Sequence, residues 1–458
     1  MSSRRSSMRR FPPLAALAFA ALLPGASTAF AAPRTVTVAD TPFGPVQVAA
    51  PDEEPNAFVF IIADSGGIAG NRAAEIEDFV DDGAAVAAIT PEEIVTAAHA
   101  ETGDCFYLFG AIEEISHEAQ RQLGAAHYRL PVIVGAGTSG GTFAYLSIAG
   151  APDNSGAGAV ALDVDLHDLT TGKSICGSAE ATETAPGSFD YKPASDLPGA
   201  LTLVLAAAPN PMQKSVLDAD TAADLKVEAE ADDRLDDALN AAQAMSKAAS
   251  TEVGDLPIVE LPAPKAKTLG IFLSGDGGWR DIDKDIAEEL NRNDVAIIGL
   301  DSLRYFWSQK SPADIARDLD HIADTYSKRW KTTRVAFLGF SFGADVIPFA
   351  WPRVTPKVQD ATDLVALLSI DHMASFQISV SSFIGAESAT DRPLRPLLAR
   401  LPKNRTMCFF GTDEKADGAT ACTAPELTGA TLEERPGGHH FDGDYQAIAR
   451  LILARLKH

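Results

Sequence analysis

The residues best suited to catalysis lie in the segment 339–343, which reads Gly-Phe-Ser-Phe-Gly. A compact apolar run precedes this segment, and a run that can continue as a buried helix follows it. Strand, tight turn and helix are the context in which Gly-x-Ser-x-Gly forms a nucleophile elbow, with the serine hydroxyl exposed at the end of a sheet. We therefore predict Ser341 as a nucleophile. The alternative is a chance match in a chain rich in glycine and serine.

A serine hydroxyl is a weak nucleophile until a base takes its proton. In α/β-hydrolases an acid and a histidine follow the serine in that order, each after a later strand. Asp413 and Glu414 follow one apolar run, and His439 and His440 follow the last one. We prefer Asp413 as the acid, with Glu414 as the close alternative and Asp417 as a distant third. We prefer His439 as the base, with His440 as its neighbour; the alternative for the pair is a polar surface loop.

An ester hydrolase also needs hydrogen-bond donors for the oxyanion that develops on the substrate. The backbone N–H of Phe342, directly after the nucleophile, is one predicted donor. The other is expected in the glycine-rich turn after the first strand of this half, at Asp276 and Gly277. That turn has neither a Gly-Lys-Ser/Thr ending nor a Gly-x-Gly-x-x-Gly spacing, so it does not predict a nucleotide site.

Carboxylates and aromatic side chains are expected at the mouth of this site. Such a combination suits a substrate that carries an ammonium group. For each residue taken singly, a helix cap or core packing explains its type equally well. The carboxylates are Asp276, Asp281, Asp345 and Asp371, and the aromatic residues are Trp279, Tyr305, Phe306 and Trp307. Among them, Asp345, Tyr305, Trp307 and Trp279 are the predicted substrate-binding residues.

Apolar runs separated by helical stretches predict parallel βαβ units. The apolar run that ends in the glycine turn before residue 67 is similar to the run that ends in the glycine turn before residue 278. The order of elements in the second half therefore repeats that of the first half. We predict an α/β fold of two tandem α/β-hydrolase-like domains with mostly parallel central sheets, the second carrying the triad. The predicted boundaries are 1–31, a signal peptide; 33–215, the first domain; 216–266, an acidic helical connector and linker; and 267–458, the catalytic domain.

The first half carries its own Gly-x-Ser-x-Gly pattern around Ser139. Yet no acid follows the strand-like run 201–208, and no histidine occurs between His167 and His321. Without a base this serine should be inert, since activity depends steeply on the triad histidine. We expect the first half to act in scaffolding, substrate capture or partner binding.

Composition restricts the partners and the compartment. A basic head, a short apolar stretch and an Ala-x-Ala site predict cleavage near Ala31, and therefore an exported chain. The net charge of −25 argues against nucleic acid and suits a cationic partner, although solubility alone explains most surface carboxylates. Four cysteines in an exported chain favour two disulfides, Cys105–Cys176 and Cys408–Cys422. No spacing typical of a metal or cofactor site occurs.

Several segments of the second half resemble the bacterial virulence-factor family of AcvB and VirJ. They are GFSFGADV, the SGDGGW turn, DSLRYFW at 301–307 and the GGHHFDGDY ending. The AcvB-like form is closer, because it carries an additional N-terminal half. The resemblance implies a periplasmic protein, with AcvB-like members hydrolysing the aminoacyl ester of lysyl-phosphatidylglycerol and VirJ-like members associated with type IV secretion.

Two functions are consistent with these residues. The first is a periplasmic serine esterase that acts on an aminoacyl phospholipid at the membrane surface. The alternative is a non-catalytic or dual-role binding factor that serves secreted proteins or type IV secretion components. A complete Ser-Asp/Glu-His set in the second half favours the enzyme.

Overall fold

The computed structural model describes residues 34–64, 71–249, 256–378 and 391–456, with the backbone alone at 252–253. The predicted signal peptide, residues 1–31, lies outside this part of the chain. Within the described ranges no helix is both long and apolar enough to cross a bilayer. Both sheets described below belong to one compact unit, residues 33–458.

The first half is built on an eight-stranded sheet, and this half also has strands that lie outside that sheet. Its strands are β1 (Arg34–Val38), β2 (Val46–Ala50), β3 (Ala57–Ile62), β4 (Ala84–Ile89), β5 (Cys105–Phe106), β6 (Pro131–Ala136), β7 (Gly158–Leu162), β8 (Leu169–Thr170), β9 (Ser174–Ile175), β10 (Ala181–Ala185), β11 (Ser188–Tyr191), β12 (Ala200–Leu205) and β13 (Asp224–Val227). The helices are α1 (Arg72–Asp81), α2 (Pro91–Ala100), α3 (Leu108–Gln122), α4 (Gly137–Ala149), α5 (Pro211–Ala219) and α6 (Ala231–Ala249). The sheet order is β1-β2-β4-β3-β6-β7-β12-β13.

The second half is built on another eight-stranded sheet, and this half also has strands that lie outside that sheet. Its strands are β14 (Glu252–Val253), β15 (Leu256–Leu261), β16 (Thr268–Leu273), β17 (Ala296–Leu300), β18 (Arg334–Phe340), β19 (Thr362–Leu368), β20 (Met373–Ala374), β21 (Arg392–Pro393), β22 (Thr406–Gly411) and β23 (Thr431–Arg435). The helices are α7 (Ile282–Arg292), α8 (Ser302–Tyr305), α9 (Pro312–Trp330), α10 (Phe342–Ala350), α11 (Pro356–Ala361), α12 (Arg395–Leu398), α13 (Thr412–Asp417) and α14 (Tyr445–Leu456). The sheet order is β14-β15-β17-β16-β18-β19-β22-β23.

The two sheets have the same topology. In each, the second strand of the half runs antiparallel to both neighbours, and every other adjacent pair is parallel. Central strands such as β3 and β7 are buried along their whole length, as expected of parallel strands covered on both faces. The predicted fold class, two tandem α/β-hydrolase-like domains, is confirmed by this topology.

The predicted connector at 216–266 is wrong. Within it, β13 pairs in parallel with β12 as the last strand of the first sheet. Helix α6 packs on that sheet and buries Leu235, Ala238, Ala242 and Met245. The second sheet begins before residue 267, because β15 pairs with β17. Both halves are therefore longer than predicted, and no free linker of that length separates them.

Two disulfides have the connectivity that the sequence favours. Cys105 in β5 is bonded to Cys176, and Cys408 in β22 is bonded to Cys422. The second bond ties the strand that precedes the predicted acid to the segment that follows it. The halves are not joined by a disulfide between the described cysteines, but one cluster of buried apolar side chains includes residues of both.

Candidate active site

The elbow forms at the carboxyl end of β18. Ser341 has φ 50° and ψ −120°, and helix α10 begins at the next residue. A Cβ on Gly339 would lie 2.7 Å from the Cα of Ala344, and a Cβ on Gly343 would collide with the carbonyl oxygen of Leu273. Glycine is therefore required at both positions, and the strained serine is held between strand and helix at the sheet edge.

His439 connects the serine to a carboxylate. The Ser341 Oγ lies 2.9 Å from His439 Nε2, and His439 Nδ1 lies 2.9 Å from Glu414 Oε1. An ionised carboxylate only accepts hydrogen bonds, so Nδ1 donates and Nε2 is left to accept from the serine hydroxyl. This orientation of the imidazole is the one that a general base requires.

Glu414 is itself held in place by three donors. Its Oε2 accepts from the Gly411 N–H at 2.8 Å and lies 3.1 Å from Ser369 Oγ. Burial would raise the pKa of the Glu414 carboxyl, but hydrogen bonds from His439, Gly411 and Ser369 lower that pKa below its ordinary value. Glu414 therefore stays ionised. The sequence analysis did not identify Ser369. The feature that could have indicated it is its position directly after strand β19.

The preference for Asp413 as the acid is not supported by the geometry. Helix α13 begins at Thr412, which exposes Asp413 and turns Glu414 inward toward His439. The backbone N–H of Asp413 donates to the Gly437 carbonyl at 3.0 Å. His440 also lies outside the hydrogen-bonded chain: its Nδ1 is 3.4 Å from Tyr445 Oη. Asp413 and His440 are neighbours of the site.

The predicted oxyanion donors lie beside the nucleophile. Phe342 supplies the first N–H of helix α10, where amides have no partner within the helix. Residues 275–278, called the oxyanion turn below, close with a hydrogen bond from the Gly278 N–H to the Gly275 carbonyl at 3.2 Å. A Cβ built on Gly275 would lie 3.8 Å from the Ser341 Cβ. The turn that contains Asp276 and Gly277 is thus adjacent to Ser341.

The predicted aromatic wall is wrong, because these side chains are core residues. Trp279 is buried, with its ring 5.6 Å from that of Phe272. Tyr305 is buried and donates to Asp318 at 2.6 Å. Phe306 is buried as well. Trp307 is buried against the first half, where its Nε1 donates to the Ala125 carbonyl at 2.9 Å. They stabilise the second half and its contact with the first.

The predicted carboxylates divide into two groups. Asp345 is buried, and its Oδ1 accepts the Asp371 N–H at 2.8 Å. Burial raises the pKa of the Asp345 carboxyl well above its ordinary value. A carboxyl that is buried and already bonded within the protein is a poor cation site, so its predicted substrate role is not supported. Asp281 and Asp371 are exposed and Asp276 is partly exposed.

The serine pattern of the first half is in the wrong register. Strand β6 ends at Ala136, and Gly137 has φ 68° at the position that Ser341 occupies after β18. Ser139 lies two residues further on and is exposed. The first half therefore has glycine where a nucleophile would stand. Among the residues with described side chains, no group of histidine, cysteine and carboxylate side chains could hold a metal ion.

Fold and site together define an α/β-hydrolase with a Ser-His-Glu arrangement in its second half. Residues 267–458 match the family described as bacterial virulence protein (VirJ). The predicted family assignment is confirmed over these residues. Comparison with curated protein sequences gave no match.

Several solved structures are similar to parts of the chain. Est1E from Butyrivibrio proteoclasticus is 13% identical, with 44% of this chain and 93% of that one covered at a TM-score of 0.31. Dienelactone hydrolase from Anabaena variabilis is 16% identical, with 43% and 87% covered at 0.31. The thioesterase domain from the curacin biosynthetic pathway is 13% identical, with 44% and 97% covered at 0.29. The fold class rests on the sheet order and elbow of this chain, not on these likenesses.

Proposed function

We propose that this protein is a periplasmic serine esterase that hydrolyses the aminoacyl ester of lysyl-phosphatidylglycerol. The observation that carries the esterase is the continuous hydrogen-bonded chain from Ser341 through His439 to Glu414. The choice of substrate is supported by the match of residues 267–458 to the VirJ family and by the resemblance of the sequence motifs to the AcvB-like form of that family.

The reaction follows from the positions of these groups. Ser341 Oγ attacks the aminoacyl carbonyl carbon while His439 Nε2 takes the hydroxyl proton. The Phe342 amide and the oxyanion turn face the negative oxygen that forms. His439 then gives the proton to the departing glycerol oxygen, which leaves as phosphatidylglycerol. Water, deprotonated by His439, attacks the acyl-enzyme; lysine is released, and His439 returns the proton to Ser341 Oγ.

The substrate's cationic end suits the charge of the protein. A lysyl ester carries two ammonium groups, and the chain has a net charge of −25. Asp281 and Asp371 expose carboxylates on loops that follow the turn after β16 and the end of β19. These loops lie at the sheet edge that carries Ser341, where a carboxylate would attract an ammonium group.

The test uses vesicles of purified lysyl-phosphatidylglycerol and phosphatidylglycerol, analysed by thin-layer chromatography. Wild type is expected to convert the lysyl lipid into phosphatidylglycerol and free lysine. Ser341→Ala is expected to leave it intact while remaining folded, as judged by thermal unfolding. Ser139→Ala, in the first half, is the matched control and should hydrolyse like wild type.

Equal hydrolysis by Ser341→Ala and wild type would rule the mechanism out. A neutral short-chain ester separates a general carboxylesterase from an aminoacyl-lipid hydrolase, since the latter should prefer the cationic substrate. If Ser341→Ala has no hydrolase activity yet retains a secretion or virulence phenotype in cells, that phenotype belongs to a binding role with secretion components.

A further inference from the structure

Hydrogen bonds within the second half hold the first residues of the oxyanion turn in place. Ser302 Oγ donates to the Ser274 carbonyl at 2.6 Å, and the Ser302 N–H donates to Ser274 Oγ at 2.9 Å. The Gly275 N–H donates to the buried carboxyl of Asp283 at 3.3 Å. These contacts fix the beginning of the turn. They do not reach Gly277.

Arg280 covers the second part of the turn. A Cβ placed on Gly277 would lie 2.9 Å from Arg280 Nη2 and 3.0 Å from its Nε, so the guanidinium lies directly against the Gly277 Cα. Only 22% of the Arg280 side chain is exposed. Because the planar guanidinium is rigid, its position limits where the backbone of the turn can move.

The group that fixes Arg280 comes from the other half of the chain. Arg280 Nη1 lies 3.1 Å and 3.2 Å from the two carboxylate oxygens of Glu113, and 3.0 Å from Ser155 Oγ. Glu113 lies on helix α3 and is itself buried. Burial lowers the pKa of Arg280, but the Glu113 carboxylate raises it above its ordinary value. The guanidinium therefore stays charged and paired.

Two further contacts reach the same segment from the loop after α4. Asn154 Nδ2 donates to the Trp279 carbonyl at 3.0 Å. Asp153 forms an ion pair with Lys284 in the first turn of α7. Three consecutive loop residues, 153–155, thus contact residues between 279 and 284, after the oxyanion turn.

We infer that the first half has become a positioning element of the catalytic site: Glu113, acting through Arg280, holds the oxyanion turn against the nucleophile. This inference rests on the proposed function, because it assigns the turn to oxyanion stabilisation. Glu113 does not touch the substrate and is a positioning residue. The ordinary alternative is an ion pair that only joins the two halves, which predicts lost stability without a specific loss of reactivity.

The test measures labelling of Ser341 by a fluorophosphonate, whose phosphoryl oxygen needs the same donors as an ester oxyanion and whose reaction requires no lipid. Glu113→Gln keeps the side chain's shape and removes its charge. We expect it to slow labelling roughly 10- to 100-fold, as for a loosened oxyanion contact. Ser155→Ala, a milder variant that removes one hydrogen bond, should slow labelling less.

Arg121→Met is the matched control. Arg121 also joins the halves, with its guanidinium carbon 3.5 Å from the Trp307 ring centroid and its Nη1 donating to the Trp307 carbonyl at 2.8 Å, but it contacts no residue of the oxyanion turn. We expect it to lower the melting temperature as Glu113→Gln does, while labelling proceeds at the wild-type rate. The ester should show the same division, with Glu113→Gln reducing kcat rather than raising KM.

The outcomes separate the two proposals. Wild-type labelling of Glu113→Gln would overturn the positioning role and leave the esterase intact. Equal slowing by Arg121→Met would also overturn it, since any weakening of the junction would then act alike. If wild type itself is not labelled while Ser341 is present, the esterase is overturned and the positioning role with it.

Discussion

The two halves share a scaffold and differ at the loops that carry chemistry. Ile62 pairs with Gly135 as Leu273 pairs with Gly339, so the two ladders can be matched residue by residue. The glycine that packs on the central strand's last carbonyl is Gly140 in one half and Gly343 in the other. The first elbow is one residue longer, and glycine replaces its nucleophile.

The acid and base positions are altered as well. By strand pairing, Ala206 corresponds to Gly411, and the next residues are Ala207, Ala208 and Pro209, none of which titrates. The segment that carries His439, between β23 and α14, is reduced to three residues between β13 and α6. Catalysis therefore depends on three loops, whereas the sheet keeps its order without them.

Among the substitutions that test this difference between the halves, replacing His439 should cause the largest loss of activity. His439→Ala should lower kcat about 10⁴- to 10⁶-fold, because removing the base disables the triad as a unit. His440→Ala should retain most activity, because His440 lies outside the hydrogen-bonded chain. Ester hydrolysis by the two variants, purified together with wild type, measures the difference. Comparable losses in both would place His440 in the mechanism.

The acid should give the next largest effect. Glu414→Gln should lower kcat roughly 10³- to 10⁴-fold, because the carboxamide no longer stabilises the imidazolium and can favour the wrong tautomer. Asp413→Asn keeps the same backbone site and should have little effect. The ratio of the two kcat values decides between them. A large loss of kcat in Asp413→Asn alone would show that Asp413, and not Glu414, is the acid.

Both elbow positions should favour glycine, because both have a positive φ. Ser341 holds φ 50°, so Ser341→Gly should be more stable than Ser341→Ala by about 1–3 kcal/mol through relief of backbone strain. At Gly137, with φ 68° and open space for a Cβ, Gly137→Ala should be less stable than wild type by about 1–2 kcal/mol. Urea unfolding measures both. If Ser341→Gly is the less stable variant, the elbow is not strained.

Much of the fold follows from the sequence, because buried parallel strands must be apolar along their length. Helix α6 was mistaken for a solvated connector because its buried positions are mostly small, although Leu235, Ala238, Ala242 and Met245 recur at helical spacing. The acid could not be chosen between Asp413 and Glu414, since only the starting residue of α13 decides which side chain faces inward. Ser139 matched a pattern whose register depends on a one-residue difference in the turn.

Asp345 occupies a position that has the same structural role in both halves: its side chain accepts a hydrogen bond from a backbone N–H of a loop. Its counterpart is Thr142, whose Oγ1 accepts the Asp165 N–H at 3.0 Å as Asp345 Oδ1 accepts the Asp371 N–H at 2.8 Å. Asp345→Thr should therefore keep the loop and retain near wild-type kcat and KM toward a cationic ester. A raised KM for that ester alone, with neutral esters unaffected, would restore the substrate role that the sequence suggested.

The smallest expected effect is on pH-dependent stability. Burial raises the pKa of Asp345 in the folded state, so the folded protein binds this proton more tightly than the unfolded chain does. The free energy of unfolding should therefore fall as pH rises above the ordinary pKa of aspartate. Asp345→Asn retains an acceptor and cannot ionise, so its stability relative to wild type should increase between pH 4 and pH 8, over about the range above that ordinary pKa. Urea unfolding of both proteins across this range measures the difference, and a change of opposite sign would show that the carboxylate is ionised and stabilising.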